Sequence, residues 1–530
     1  MRLLRALLLL IGVALAVPAQ AERHVTPYIE VQQVLDADFN GGGDVLTYTS
    51  VAAGVDADVR SRRVEATISY RYEHRFGWGD RLGDEDVHNG LARARIELVP
   101  NLLDLEGGAI ATRARSDIRG DAPAFLAVDD DNVTQVYGFY GGPTLSTHVG
   151  ALEVGASYKL GYVRVDDNSD VTLPPGQPRL DSFDSATSQQ ADASIGMSSG
   201  PLPFGWTVSA GWMREDASQL DQRYEGKYVR GDVTLPVSPT VALTAGVGYE
   251  DIKASQRDVL RNPDGSPVIN GNGRFVTDPN SPRLLAFDTD GMIYDAGVIW
   301  RPSRRTTLQA RVGKRYGATA VTGSFEHQIS PYSGIQVGVY NYVDSFGRGL
   351  VRSLGALPTD FTVSRNPLTG QFNGCVFGAN PGTGGCLDDV FQSISTSNFR
   401  LRGINALYSA KRGPWRMGIG AGYAQRKYLA PTSIFFTVDG VKDESITFEA
   451  QLGRELTATS GIDTAVYANW YKSGIAQAPD VTSTGATAAY YRSFSQRLTG
   501  QASVGLFAFD QQGFETDVSG QLLIGLRYIF

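Results

Sequence analysis

The chain alternates. From Val518 to Phe530, the residues Val518, Leu522, Ile524, Leu526, Tyr528 and Phe530 share one parity, and Ser519, Gln521, Gly525 and Arg527 share the other. Successive side chains of a strand point to opposite faces, so this segment predicts a strand with one apolar and one largely polar face. Arg63 to Arg75 is the clearest case. Val64, Ala66, Ile68, Tyr70 and Tyr72 form an apolar face that ends in aromatics, while Arg63, Glu65, Thr67, Ser69, Arg71, Glu73 and Arg75 form a polar one. A helix of this sequence would scatter charge around its whole circumference, whereas a strand between lipid and water accounts for each position, with His74 placed at the rim. Leu91–Val99, Leu152–Tyr162, Thr307–Tyr316 and Ile446–Leu452 repeat the pattern. Tyr224 to Leu235 slips phase midway, which predicts a bulge.

About 22 such segments occur between Ile29 and Ile524, each near the roughly 9–14 residues of a tilted membrane strand. Short connections are expected near Ser61, Pro100, Ser146, Pro201, Pro239, Ser303, Pro331, Gly413, Ser460 and Gln496. They alternate with mostly longer ones near Gly79, Arg119, Pro175, Gly265, Leu357 and Gly440, with short exceptions near Ser218 and Gly317. Tight periplasmic turns and longer outer loops are the rule for outer-membrane barrels, and both chain ends on the periplasmic side require an even strand number. The predicted fold is an all-β, antiparallel, up-and-down transmembrane barrel of roughly 18 to 24 strands, formed by residues 22–530 as one unit. No fixed repeat supports a propeller or β-helix. A chain that ends on aromatic Tyr528 and Phe530 resembles the closing strand of such barrels, which implies an assembly signal there and the barrel-assembly machinery as a partner.

The amino terminus agrees with export. Arg2 and Arg5 precede an apolar run from Ala6 to Val17, Pro18 breaks it, and Ala19-Gln20-Ala21 has the small-x-small form of a cleavage site. Residues 1–21 therefore predict a signal peptide. The run is too short for a membrane-spanning helix, which needs about 20 apolar residues. The 61 glycines and 10% aromatics are spread along the chain without a linker-like shift in composition. Mean hydropathy is −0.17, as it is when only alternate residues meet lipid. A formal net charge of −8 argues against a nucleic-acid partner, which calls for a basic face.

Catalytic signals are thin, and no enzyme is predicted. Gly196-Met197-Ser198-Ser199-Gly200 has the spacing of a nucleophile elbow, but it runs into Pro201 and Pro203 rather than into a helix. The five histidines (His24, His74, His88, His148 and His327) lack metal-ligand spacing. Asp288-Thr289-Asp290-Gly291 is a fragment of a calcium loop without its distal Glu. Three acidic groups (Asp80 with Asp84, Glu85 and Asp86; Asp129 to Asp131; Asp166, Asp167 and Asp170) are either solvated loop carboxylates or sites for divalent cations shared with lipopolysaccharide. No cofactor is implied. Cys375 and Cys386 lie in one Gly-rich stretch of an exported chain and read as a disulfide.

The inward faces carry the better functional candidates. Arg71, Arg75, Arg93, Arg95, Arg311 and Arg315 interleave with Glu65, Glu73, Glu97 and Glu449. Such residues either set the selectivity of a pore or brace a wide wall. Barrels of 22 strands ordinarily carry a plug. Here a strand is expected at Val25–Leu35, leaving no room for an N-terminal plug domain. The long outer loop Gly347–Phe391 is the candidate constriction.

Val25-Thr26-Pro27-Tyr28-Ile29-Glu30-Val31-Gln32-Gln33-Val34-Leu35-Asp36-Ala37-Asp38, followed by Tyr48–Asp58 and Val64–Phe76, resembles a group of proteobacterial outer-membrane barrels associated with PEP-CTERM/exosortase and exopolysaccharide loci. The resemblance covers about the first hundred residues and brings no catalytic motif. It implies export or assembly of surface polysaccharide, with polysaccharide-export components as partners. Two functions stand side by side: a channel or conduit in the cell outer membrane, and a non-conducting structural or adhesion barrel whose loops touch matrix or lipopolysaccharide.

Overall fold

The computed structural model describes residues 22–40, 45–78, 84–117, 132–166, 181–362, 365–371, 374–391, 394–432, 438–475, 478–513 and 515–530. The signal-peptide segment 1–21, Gly79, Asp80, Arg119, Asp129 to Asp131, Asp167, Asp170 and Pro175 lie outside them. Twenty-two strands form one antiparallel sheet. The first, Glu22–Asp38, pairs with the last, Asp517–Ile529, from Tyr28 opposite Ile529 to Asp38 opposite Ser519, so the sheet closes on itself. Closure removes the edge strands, the only way an extended chain satisfies its backbone in hydrocarbon.

Alternation fixes the two faces. On the last strand Leu522, Ile524, Leu526 and Phe530 are 53, 72, 52 and 66% exposed, whereas Ser519, Gln521 and Leu523 between them are buried in the lumen. The first strand does the same with Ile29 and Val31 outside and Tyr28 and Val34 inside. A continuous apolar belt around a closed barrel is a lipid-facing surface, and the protein resides in the outer membrane.

The connections alternate as expected. At the end holding both chain termini they run from two residues at 304–305 to seven at 198–204. At the other end they include 116–132, 166–184, 257–283 and the longest, 345–397. By the loop-length rule that end is extracellular. One outer hairpin is tight because Tyr316 and Gly317 both take positive φ (54° and 70°), the two-residue turn that matches strand twist.

Two expectations fail. The turn placed near Ser146 lies at Gly150–Ala151, since the strand Val133–Val149 runs past it. Tyr224–Leu235 contains no bulge: the strand Gln222–Pro236 pairs in unbroken register with both Gly205–Ala217 and Val241–Gln256. Its outward residues read Arg223, Glu225, Lys227, Val229, Gly231, Val233 and Leu235. The outer third of the strand stands above the hydrocarbon, so charge there sits on the same face as the apolar residues below. A shift of register occurs instead beside it, between Ala254 and Ser255.

Candidate functional site in the barrel lumen

The inward arginines do not form an open ring. Near the first strands they interlock with carboxylates. Arg71 donates to Glu30 (2.9 Å) and pairs with Glu73, and Arg75 donates to Glu73 (3.1 Å) and to Glu85 (3.4 Å), which also pairs with Arg113. Arg71, Glu73, Arg75 and Arg113 are all buried. Buried charges persist only when paired and hydrogen-bonded, and this ladder satisfies that condition. Across the lumen Arg311 and Arg230 share Asp232 and Asp295 at 2.6–3.2 Å, and Arg315 reaches Glu250 at 3.3 Å. Toward the periplasmic mouth Arg95 meets Asp104 at 2.6 Å, Glu97 accepts from the Asn101 amide at 2.9 Å, and Glu65 lies opposite Arg60 in the ladder. Arg93 instead donates to the carbonyls of Leu357 (3.0 Å) and Gly355 (3.3 Å). Those carbonyls belong to the longest outer connection.

That connection, 345–397, enters the barrel. Ser345 caps a helix, Phe346–Ala356, by accepting from the Arg348 amide, and its hydroxyl donates to Glu215 of the wall (2.9 Å). Phe346, Leu350 and Leu354 recur every four residues, so they share one helix face. They and Leu357 are fully buried against Leu91, Ile110, Val136, Tyr140 and Val163. These wall residues point inward yet are apolar, so the wall is built to receive the helix. Burying each such side chain contributes roughly 1.5–3 kcal/mol.

Past the helix the segment crosses to other walls. Asp360 accepts from Arg60, at the periplasmic end, at 2.6 Å. Arg365 donates to the Tyr28 hydroxyl (3.0 Å) and reaches Asp56 (3.4 Å), and Leu368 packs among Val34, Tyr48, Phe507 and Leu523. A three-stranded sheet follows, made of Phe361–Thr362, Cys375–Gly378 and Gly384–Cys386. Cys375 and Cys386 face each other in it and are disulfide-bonded. This hairpin lies on the wall strands Asn398–Arg412, Trp415–Leu429 and Lys442–Thr457. Glu449 accepts from the Cys375 amide (2.7 Å), and Ser409 accepts from the Gly382 amide (2.7 Å). Gly418 and Gly420 make the approach feasible: a Cβ at Gly420 would overlap both sulfurs, and one at Gly418 the Phe377 ring. The returning limb pairs with another outer loop, with Phe183 donating to Ile394 and Thr396 to Asp181.

The remaining sequence candidates stay apart. Gly196–Gly200 ends a strand and enters a periplasmic turn, where Ser198 donates to Glu153. His74 pairs with Asp86 (2.7 Å), and His88 meets Tyr70 (2.7 Å). Asp288–Gly291 is part of a strand, and Asp290 accepts from the Tyr249 hydroxyl. Among the described residues no three His, Cys, Asp or Glu side chains converge as a metal site. The sequence reading missed Glu30, Asp56, Glu215, Arg348 and Arg365, whose partners are far away in the chain. The glycine run Gly418-Ile419-Gly420-Ala421-Gly422 within a strand was a readable sign of close backbone approach.

No protein-family model and no curated protein matches the chain. Among solved structures it is similar to the ferric-catecholate import receptor Fiu from K12 E. coli in its closed form, at 9% identity and a TM-score of 0.47, covering 95% of this chain and 81% of that one. It is also similar to the FrpB iron transporter from Neisseria meningitidis, F3-3 variant, at 10% identity and 0.43, covering 95% and 81%. The siderophore receptor PirA from Acinetobacter baumannii matches at 9% and 0.41, covering 95% and 80%.

Proposed function

We propose that the protein is a transport channel of the outer membrane, closed at rest by its own 345–397 segment. The helix Phe346–Ala356 is the anchor, held by an apolar seat. The part from Pro358 to Leu387 is the gate. One observation carries the reading: beside the apolar contacts of Leu368 and Phe377, the gate is tied to its walls by separate polar contacts, namely Arg60–Asp360, Arg365–Tyr28, Glu449–Cys375 and Ser409–Gly382. Water can replace such contacts at little net cost, since each exchanges for hydration. The polysaccharide cargo rests on the resemblance of the first strands and has its own test, which is loss of surface polymer on deletion of the gene.

The test of gating is conductance in planar bilayers. The intact protein is expected to be nearly silent, and a variant with 358–387 replaced by a short Gly-Ser linker to conduct with large unitary steps. Silence from a correctly folded variant would sink the channel reading and leave the structural barrel.

A further inference from the structure

Between the anchor helix and the wall lies a cavity of about 380 Å³ whose lining includes Lys159, Arg315 and Arg352 together with Tyr228, Tyr316 and Tyr342. We infer that it is a binding site for a small organic oxyanion, a carboxylate or phosphate ester, which bridges the wall to the helix of the inserted segment. The inference deepens the channel reading by naming the ligand class, and it can fail independently of it.

The cations are arranged to keep donors available. Arg352, on the helix, lies over the Tyr342 ring at 4.3 Å, and Arg315, on the wall, lies over Tyr316 at 4.9 Å. A ring against the flat face of a guanidinium leaves its N–H edge free for a planar anion. Arg352 uses one terminal nitrogen on Asp344, and Arg315 uses Nε on Glu250. Their side chains are 33% and 38% exposed, so the other nitrogens are within reach of a ligand. Lys159 faces the same space with its ammonium 5.9 Å from the Tyr140 ring and has no carboxylate within ion-pair distance among the described residues.

The carboxylates that face the cavity are already engaged. Glu250 accepts from Arg315 and from the Tyr316 amide (2.6 Å). Asp344 accepts from Arg352 and from the Ser345 amide (3.0 Å), and Asp192 accepts from Gln190 (2.7 Å) and the Tyr228 hydroxyl (3.1 Å). Each of these carboxylates is already paired with at least two donors, while guanidinium and ammonium N–H groups stay open to the cavity, which suits an anion better than a cation. The tyrosine rings supply apolar surface for the body of the ligand.

Calorimetric titration of the detergent-purified protein at low salt tests this, with citrate in one arm and inorganic phosphate in the other. Saturable binding of at least one probe is expected, weakening by about tenfold or more in Arg352→Gln and in Lys159→Gln. Arg416→Gln, far from the cavity, serves as the control and should bind as the parent does. Folding of each variant is confirmed by its heat-dependent gel mobility, and Lys159→Gln disturbs no ion pair, so it remains informative if Arg352→Gln misfolds. No saturable binding of either probe, or equal binding by parent and Lys159→Gln, overturns the inference. Because the titration uses the closed protein, silence of the loop-replaced variant in bilayers would not touch it.

Discussion

Arg527, on the strand that ends the chain, donates to Asp56 at 2.5 Å across the intervening first strand. The Arg527 guanidinium lies over the Tyr28 ring at 3.4 Å, and the other Asp56 oxygen accepts from Ser69 and faces Arg365 of the inserted segment. The closing seam and the lumen filling thus share one carboxylate. Asp56→Asn is expected to loosen both. The pair is about one-third exposed on each side, so the cost is about 1 kcal/mol rather than that of a fully buried pair. Urea unfolding in detergent should show a lower midpoint, and an unchanged midpoint would remove the seam from the account.

Gly420→Val tests the seat of the disulfide hairpin. The new side chain would occupy the space of both sulfurs, so the hairpin must shift while the ladder pairing of the strand is kept. Conductance should rise at unchanged thermal stability of the barrel. A silent, stable variant would mean that the hairpin does not close the path.

Replacing both cysteines, Cys375→Ser with Cys386→Ser, removes the cross-link that closes the hairpin. A loop of this size loses about 2–3 kcal/mol of restraint on the chain-entropy argument. Hydrogen exchange at Val376 and Phe377 should quicken, with the barrel strands unaffected. Equal exchange in both proteins would show that wall contacts alone order the hairpin.

Burial pushes the Asp360 carboxyl above the usual carboxylate range, against the pull of Arg60, while Asp58 and Glu65 nearby push it the same way as burial. A carboxyl whose docked value exceeds its free value favours docking when protonated. Docking should therefore be strongest below the ordinary carboxylate range and weaken as pH rises through the raised value. Channel openings should become more frequent as pH rises above the ordinary carboxylate range, and Asp360→Asn should flatten that dependence. The same slope in the variant would assign the effect to another group.

Much of the barrel was legible because period-two alternation is a local property. Val64 to Tyr72 and Leu522 to Phe530 announce their faces within a dozen residues. The apparent slip at Tyr224–Leu235 misled because polarity reports depth as well as face: Lys227 and Val229 point the same way at different heights. The lumen was legible only as a list of inward residues. Whether Arg93 faces water or a carbonyl depends on Leu357, hundreds of positions away, and nothing near Arg93 records it. The helix was missed for a related reason. Phe346, Leu350 and Leu354 carry helical spacing, but they sit in a Gly-rich stretch among strands, and the apolar seat that stabilises them comes from strands of opposite sequence neighbourhood.

The proposed stopper, 345–397, is joined at both ends to neighbouring staves, Ser333–Asp344 and Asn398–Arg412. It cannot diffuse away once displaced, so resealing is a first-order event, independent of how many copies the membrane holds. Its local concentration stays in the range set by a short tether, of order millimolar. On the proposed gating, the leak per passage is governed by how fast one chain finds its seat again.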